Sequence, residues 1–133
     1  MQLSNFLRTV LKLDGASCLA MAAIVLPMAG MLEAPLGVDA GALAAAAASL
    51  IPIGLFVLWL GTRQKAPSAL VGVVIVGNLG WAVASFAAAG SIPAITVLGQ
   101  AVVAGQGLAV LVLAIAEWAG LRSSQLETRW EGA

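Results

Sequence analysis

The chain has no histidine and one cysteine, and only 9% of its residues are charged. Each shortage removes a class of function. Without histidine, the usual ligand for haem, zinc and copper is missing, and so is the usual proton shuttle at neutral pH. Cys18 has no second cysteine with which to close an intrachain disulfide; it lies in an apolar stretch and reads as a small hydrophobe. Six basic side chains balance six acidic ones, so there is no net basic field to attract nucleic acid. No Ser/His/Asp or Cys/His arrangement can be assembled, and no glycine-rich phosphate loop follows a strand. The expectation is a protein that is not an enzyme, with no catalytic residues, no cofactor and no metal.

What the chain does have is apolar surface, at 62% hydrophobic residues. A soluble domain carries about 25% charged residues, and this one cannot coat itself with its few charges. Lipid is the better solvent for most of it. The charges also divide the chain. None falls between Asp14 and Glu33, between Asp39 and Arg63, or between Lys65 and Glu117. A span needs about 20 apolar residues, so the first two gaps hold one span each. The third is broken at Gly90-Ser91-Ile92-Pro93, a helix stop followed by a turn, and holds two. The pattern predicts spans near residues 10–31, 41–61, 68–89 and 94–120. All must be helical, because lipid offers no partner to an unpaired backbone group. The expected fold is all-α, a single-domain membrane four-helix bundle over residues 1–133.

Orientation follows from lysine and arginine. Arg8 and Lys12 precede the first span, Arg63 and Lys65 join the second to the third, and Arg122 and Arg129 follow the fourth. The other two connections have neither residue type. The positive-inside rule then puts both termini in the cytoplasm. Trp59 with Arg63, and Trp118 with Arg122, are expected as interfacial anchors on that face. Arg8 and Lys12 ahead of an apolar run also match the start of a signal peptide. The run is longer than a usual h-region, however, and Leu32-Glu33-Ala34-Pro35 is a poor cleavage site, so the segment is read as a retained span.

Leu3, Phe6, Leu7, Val10 and Leu11 follow helical spacing. A straight helix from Leu3 to Met31 would run roughly 43 Å at 1.5 Å per residue, longer than the ~30 Å hydrocarbon core. This segment therefore either projects or bends at Asp14-Gly15 to lie on the inner surface. Pro27 and Pro52 lie inside spans, where each frees a carbonyl one turn earlier; Ser49 is placed to serve the one at Ala48. Small residues mark faces suited to close helix contact: Gly41 and the alanines to Ala48, then Gly72, Gly77, Gly80, Ala84 and Ala88, then Ala101, Ala104, Gly105 and Gly107. Trp59-x-Gly61-x-Arg63 recurs as Trp118-x-Gly120-x-Arg122, which is what two duplicated hairpins would give, or simply what two helices leaving toward the cytoplasm require.

Ionisable groups within spans raise a functional hypothesis. Asp14 and Glu117 are the two here, near the cytoplasmic boundary, where Lys12, Arg63 or Arg122 would be in reach as ion-pair partners. Asn78 and Gln106 sit deeper, on antiparallel spans where they are expected to bond each other. Asn78, Trp81 and Ser85 share one helix face; Gln106, Val110, Leu113 and Glu117 share another; Asp14, Ser17, Cys18, Met21, Val25 and Met28 share a third. If the three converge, Asp14, Ser17, Asn78, Ser85, Gln106 and Glu117 form a polar track opening to the cytoplasm, either as helix adhesive or as an ion or ligand site.

Leu7-Arg8, Leu13-Asp14 with Ser17, Asn78-x-x-Trp81-x-x-x-Ser85, and Gln106 with Glu117 before Gly120-Leu121-Arg122 together resemble a group of small, uncharacterised bacterial four-span membrane proteins. The general layout is also similar to DoxX-like four-helix proteins, without motifs that would carry over a redox function. The resemblance implies architecture and a home in the bacterial inner membrane. Two functions fit these residues. One is an accessory or oligomeric helix-packing subunit, with the bilayer and a second copy or larger membrane complex as partners and no nucleic acid. The other is a small ion-coupled transporter using Asp14 or Glu117.

Overall fold

A computed structural model describes residues 1–132, and within them the chain forms four helices: α1 (Asn5–Leu36), α2 (Ala40–Thr62), α3 (Ser68–Ser91) and α4 (Val97–Glu131). Each is long and apolar enough to cross a membrane. The helices stop and start where local chemistry requires. Ser4, Asp39 and Thr96 accept N-terminal backbone N–H groups of α1, α2 and α4. Gly37 ends α1 in the left-handed conformation at φ 68°, where a Cβ would strike the Ala94 carbonyl. With 23 and 24 residues, α2 and α3 span about 35 Å at 1.5 Å per residue. With 32 and 35 residues, α1 and α4 reach about 50 Å and outrun the ~30 Å hydrocarbon core.

The bundle is two hairpins. α1 packs along α2, α3 packs along α4, and α1 joins the hairpins by packing on α4. No comparable contact joins α2 to α3. Small residues set these distances. A Cβ on Gly15 would lie 2.6 Å from the Leu58 backbone nitrogen, and one on Gly54 would lie 2.9 Å from the Cys18 Cβ. Gly61 faces Lys12, and Gly120 faces Leu7, so the two Trp-x-Gly-x-Arg segments close on α1 from either side. In both, the arginine lies over the tryptophan ring one turn earlier, at 4.6 Å for Arg63 and 5.0 Å for Arg122.

Of the two expectations for the N-terminal segment, the bend at Asp14-Gly15 does not occur, and the segment extends α1 beyond the length of the hydrocarbon core. α1 is one continuous helix through Asp14-Gly15, and the small size of Gly15 serves its contact with α2. Ahead of α1 the chain is extended: Leu3 N–H donates to the Gln64 carbonyl at 2.8 Å, and Ala66 N–H donates to the Met1 carbonyl at 3.0 Å. Ser4 N–H donates to Ser124 Oγ on α4 at 2.9 Å. Leu3, Leu7, Val10 and Leu11 of the apolar stripe are thereby turned inward, while Phe6 stays exposed. Leu3, Leu7 and Leu11 join Val57, Leu60, Val71, Val74 and Ile75 in the main hydrophobic core. The same end of the bundle holds all six lysines and arginines, the N-terminus, the end of α4 and the α2–α3 connection. Ser49 serves its own helix differently from the expectation: its hydroxyl donates to the Ala46 carbonyl at 2.7 Å, not to Ala48.

Candidate functional site

Three helices bring one polar group each to a single point inside the bundle. Asp14 comes from α1, Asn78 from α3 and Glu117 from α4, and their side chains are 1%, 8% and 0% exposed. Each is about ten or fewer residues from the charged end, roughly 15 Å at 1.5 Å per residue. The Asn78 amide nitrogen donates to Asp14 Oδ2 at 2.8 Å and to Glu117 at 3.0 Å (Oε2) and 3.3 Å (Oε1). One NH2 group, with two protons, thus holds two carboxyl groups. Cys18 adds a long contact from one turn along α1, its Sγ 3.8 Å from Asp14 Oδ1. α2 packs here through Gly54 and Leu58 and brings no charged or titratable group.

This arrangement overturns two expectations. Asp14 and Glu117 are not pinned at the interface by cations: among the described residues neither is bonded to a lysine or arginine, and Arg63 and Arg122 lie over tryptophan rings instead. The reason is helix rotation. Small residues seat α1 closely against α2 and α4, and that contact turns the carboxyl-bearing faces inward. Nor do Asn78 and Gln106 bond each other. Gln106 Oε1 accepts from Trp81 Nε1 at 2.9 Å, while its Nε2 donates to Ser85 Oγ at 2.6 Å and to the Val103 carbonyl at 2.9 Å. Gly107 permits this, because a Cβ there would meet Ser85 Cβ at 2.9 Å. The second polar cluster ties α3 to α4 alone, one level farther from the charged end than the carboxyl pair.

Between the two clusters and α2 lies a cavity of about 500 Å³. Ser17, Cys18 and Met21 line it from α1, Asn78 and Trp81 from α3, and Gln106, Val110 and Leu113 from α4. The three expected faces converge in part: Val25 and Met28, at the far end of the first face, do not reach the cavity. The remaining wall is apolar and comes largely from α2, including Leu50, Phe56 and Val57. The track does not open to the charged end, as anticipated; the leucines of the N-terminal segment fill that route. It opens sideways in the gap between α2 and α3, where the lining residues Ile53 and Val73 are exposed.

Of the expected track, then, Asp14, Asn78 and Glu117 form one cluster, and Ser85 and Gln106 form another with Trp81. Ser17 turns its hydroxyl to the Asp14 carbonyl at 2.8 Å and edges the cavity. Sequence reasoning missed the α2 wall and the packing glycines Gly15 and Gly54. The heptad spacing of Gly54 and Gly61 was the available signal for a close α1–α2 seam. Comparison of the chain with protein-family models, with curated proteins and with solved structures finds no match.

Proposed function

We propose that this protein is a small membrane carrier whose coupling site is the Asp14–Glu117 pair, held in a bacterial inner membrane with both termini cytoplasmic. The observation that carries this reading is the burial of two carboxyl groups on one amide, with no cation among the described residues bonded to either. Ionisable groups at membrane depth are costly and mark ion or substrate pathways. A buried negative charge without a partner needs compensation. Here nothing in the fold supplies it, so a proton or small cation from outside must. Gain and loss of that charge would alter the grip of Asn78, which bonds both carboxyl groups and so links α1, α3 and α4 at this level. The packing of the hairpins would respond, as a carrier requires. The orientation rests on the six basic residues gathered at one end.

Infrared difference spectroscopy of the protein in liposomes, across a pH titration, tests the proposal. The wild type should show a carboxyl C=O band that comes and goes with proton binding. Glu117→Gln should remove it, and Asp14→Asn should shift it. The same spectrum from wild type and both variants would overturn the reading.

A second observation favours assembly. On the outer surface Gly72, Gly80 and Gly105 have nothing within 4 Å of the place a Cβ would occupy. Such open small-residue sites suit close approach by another helix. A Gly80→Cys variant in a Cys18→Ser background should then cross-link to a partner in native membranes. A chain that stays monomeric under those conditions rules this role out.

A further inference from the structure

We infer that the cavity between α2 and α3 is a binding site for a lipophilic amine, an apolar chain or ring bearing one protonated nitrogen that donates to Asn78 Oδ1. The inference rests on the reading of Asp14 and Glu117 as an ionisable coupling pair.

Size comes first. A volume of about 500 Å³ matches sites for small organic molecules rather than for water or a bare ion. The walls, with Met21, Leu50, Phe56, Val74 and Leu113, offer an apolar ligand body a dry surface.

The polar atoms then select the ligand's head. Gln106 spends both ends on Trp81, Ser85 and Val103, and this also occupies the Trp81 indole N–H. The Ser17 hydroxyl is donated to the Asp14 carbonyl. The Asn78 NH2 is spent on the two carboxyl groups, and that choice orients the amide. The nitrogen faces Asp14 and Glu117, which leaves Oδ1 on the other side of the amide. Asn78 lines the cavity, and its Oδ1 has no hydrogen-bond partner among the described residues. The cavity thus offers an unused acceptor and no unused side-chain amide or indole donor. A ligand must bring an N–H or O–H.

Charge decides between those two. Behind the amide stand two carboxyl groups without a bonded cation. A protonated amine is drawn to that field, a neutral alcohol gains less, and a carboxylate is repelled. Access agrees with a lipid-soluble molecule, because leucines pack the charged end and the exposed lining at the α2–α3 gap, Ile53 and Val73, is apolar.

The test uses the full chain in phosphatidylcholine nanodiscs. Trp59→Phe, Trp118→Phe and Trp130→Phe leave Trp81, in the cavity wall, as the only fluorescent reporter. n-Octylamine should change its emission saturably, with a Kd about ten-fold or more below that of n-octanol. n-Octyltrimethylammonium, a cation with no N–H, should bind more weakly than the amine, and octanoate should not bind. Gly77→Leu fills the cavity from a helix position with nothing within 4 Å, so it should abolish the signal while the bundle stays folded. Asp14→Asn with Glu117→Gln should bring amine and alcohol to similar affinities. Equal binding of amine and alcohol by the wild type, or of n-octane alongside them, would mean a slot for lipid chains and would overturn the inference. So would binding that survives Gly77→Leu. If amine selectivity fails while the infrared carboxyl band persists, only this inference falls; if the band is missing as well, the coupling site falls with it.

Discussion

The seam between α1 and α2 and the gap between α2 and α3 flank the same helix and are built in opposite ways. Along the first, glycine faces backbone. A Cβ on Gly15 would be 2.8 Å from the Gly54 carbonyl oxygen, and one on Gly54 would be 3.0 Å from that of Gly15. Along the second, helix contact is nearly absent, and a cavity of about 500 Å³ takes its place. In lipid, helices gain nothing from hiding apolar surface as such; close van der Waals fit is what holds them. A seam that fits is therefore structural, and a seam that does not fit is room. The carboxyl pair sits where the two meet, anchored by the tight side and edged by the open one.

Substitution of Gly15 by valine should have the largest effect, because the added atoms meet backbone, which cannot swing away. A loss of more than ~3 kcal/mol is expected, read as a shift in an SDS-unfolding titration. Leu11→Ala breaks the plug that closes the charged end. Leu11 is 0% exposed, and its truncation should cost roughly 2–5 kcal/mol in the same titration. It should also speed the reaction of Cys18 with an aqueous thiol reagent relative to the wild type. Asn78→Ala leaves two buried carboxyl groups without their donor and should cost about 2 kcal/mol. The cost should shrink when Asp14→Asn and Glu117→Gln are already present, and a double-mutant cycle measures that coupling. The smallest effect belongs to the open side. Gly80 has no neighbour within 4 Å, so Gly80→Ala should change stability by no more than about 1 kcal/mol, in the stabilising direction through helix propensity. If Gly15→Val and Gly80→Ala behaved alike, the contrast between seam and gap would be wrong.

The elements were legible because each depends on a local sum. The gaps from Asp14 to Glu33 and from Asp39 to Arg63 are stretches without charge, and helices follow wherever lipid denies the backbone other partners. Their ends were less legible. α1 starts at Asn5 and α4 runs on to Glu131, past the apolar stretches, because Ser4 caps the first and Ser124 on the second accepts from Ser4 N–H. The site was legible as a set of residues and not as a set of contacts. Spacing put Asp14, Asn78 and Glu117 on inner faces, yet it paired Asn78 with Gln106 and offered Lys12, Arg63 or Arg122 to the acids. Spacing along a helix gives a side chain's angle relative to its own neighbours. It carries no information on how far the whole helix is rotated against the next one.

From its residues alone this chain had to be a bundle of four apolar helices with every lysine and arginine at one end, since the transfer of a helix into lipid is decided by its own composition. Which polar groups meet, which end is plugged and which seam stays open were decided only by the tertiary structure. Those outcomes turn on fractions of an ångström at Gly15, Gly54, Gly107 and Gly120, where side chains far apart in sequence compete for the same space.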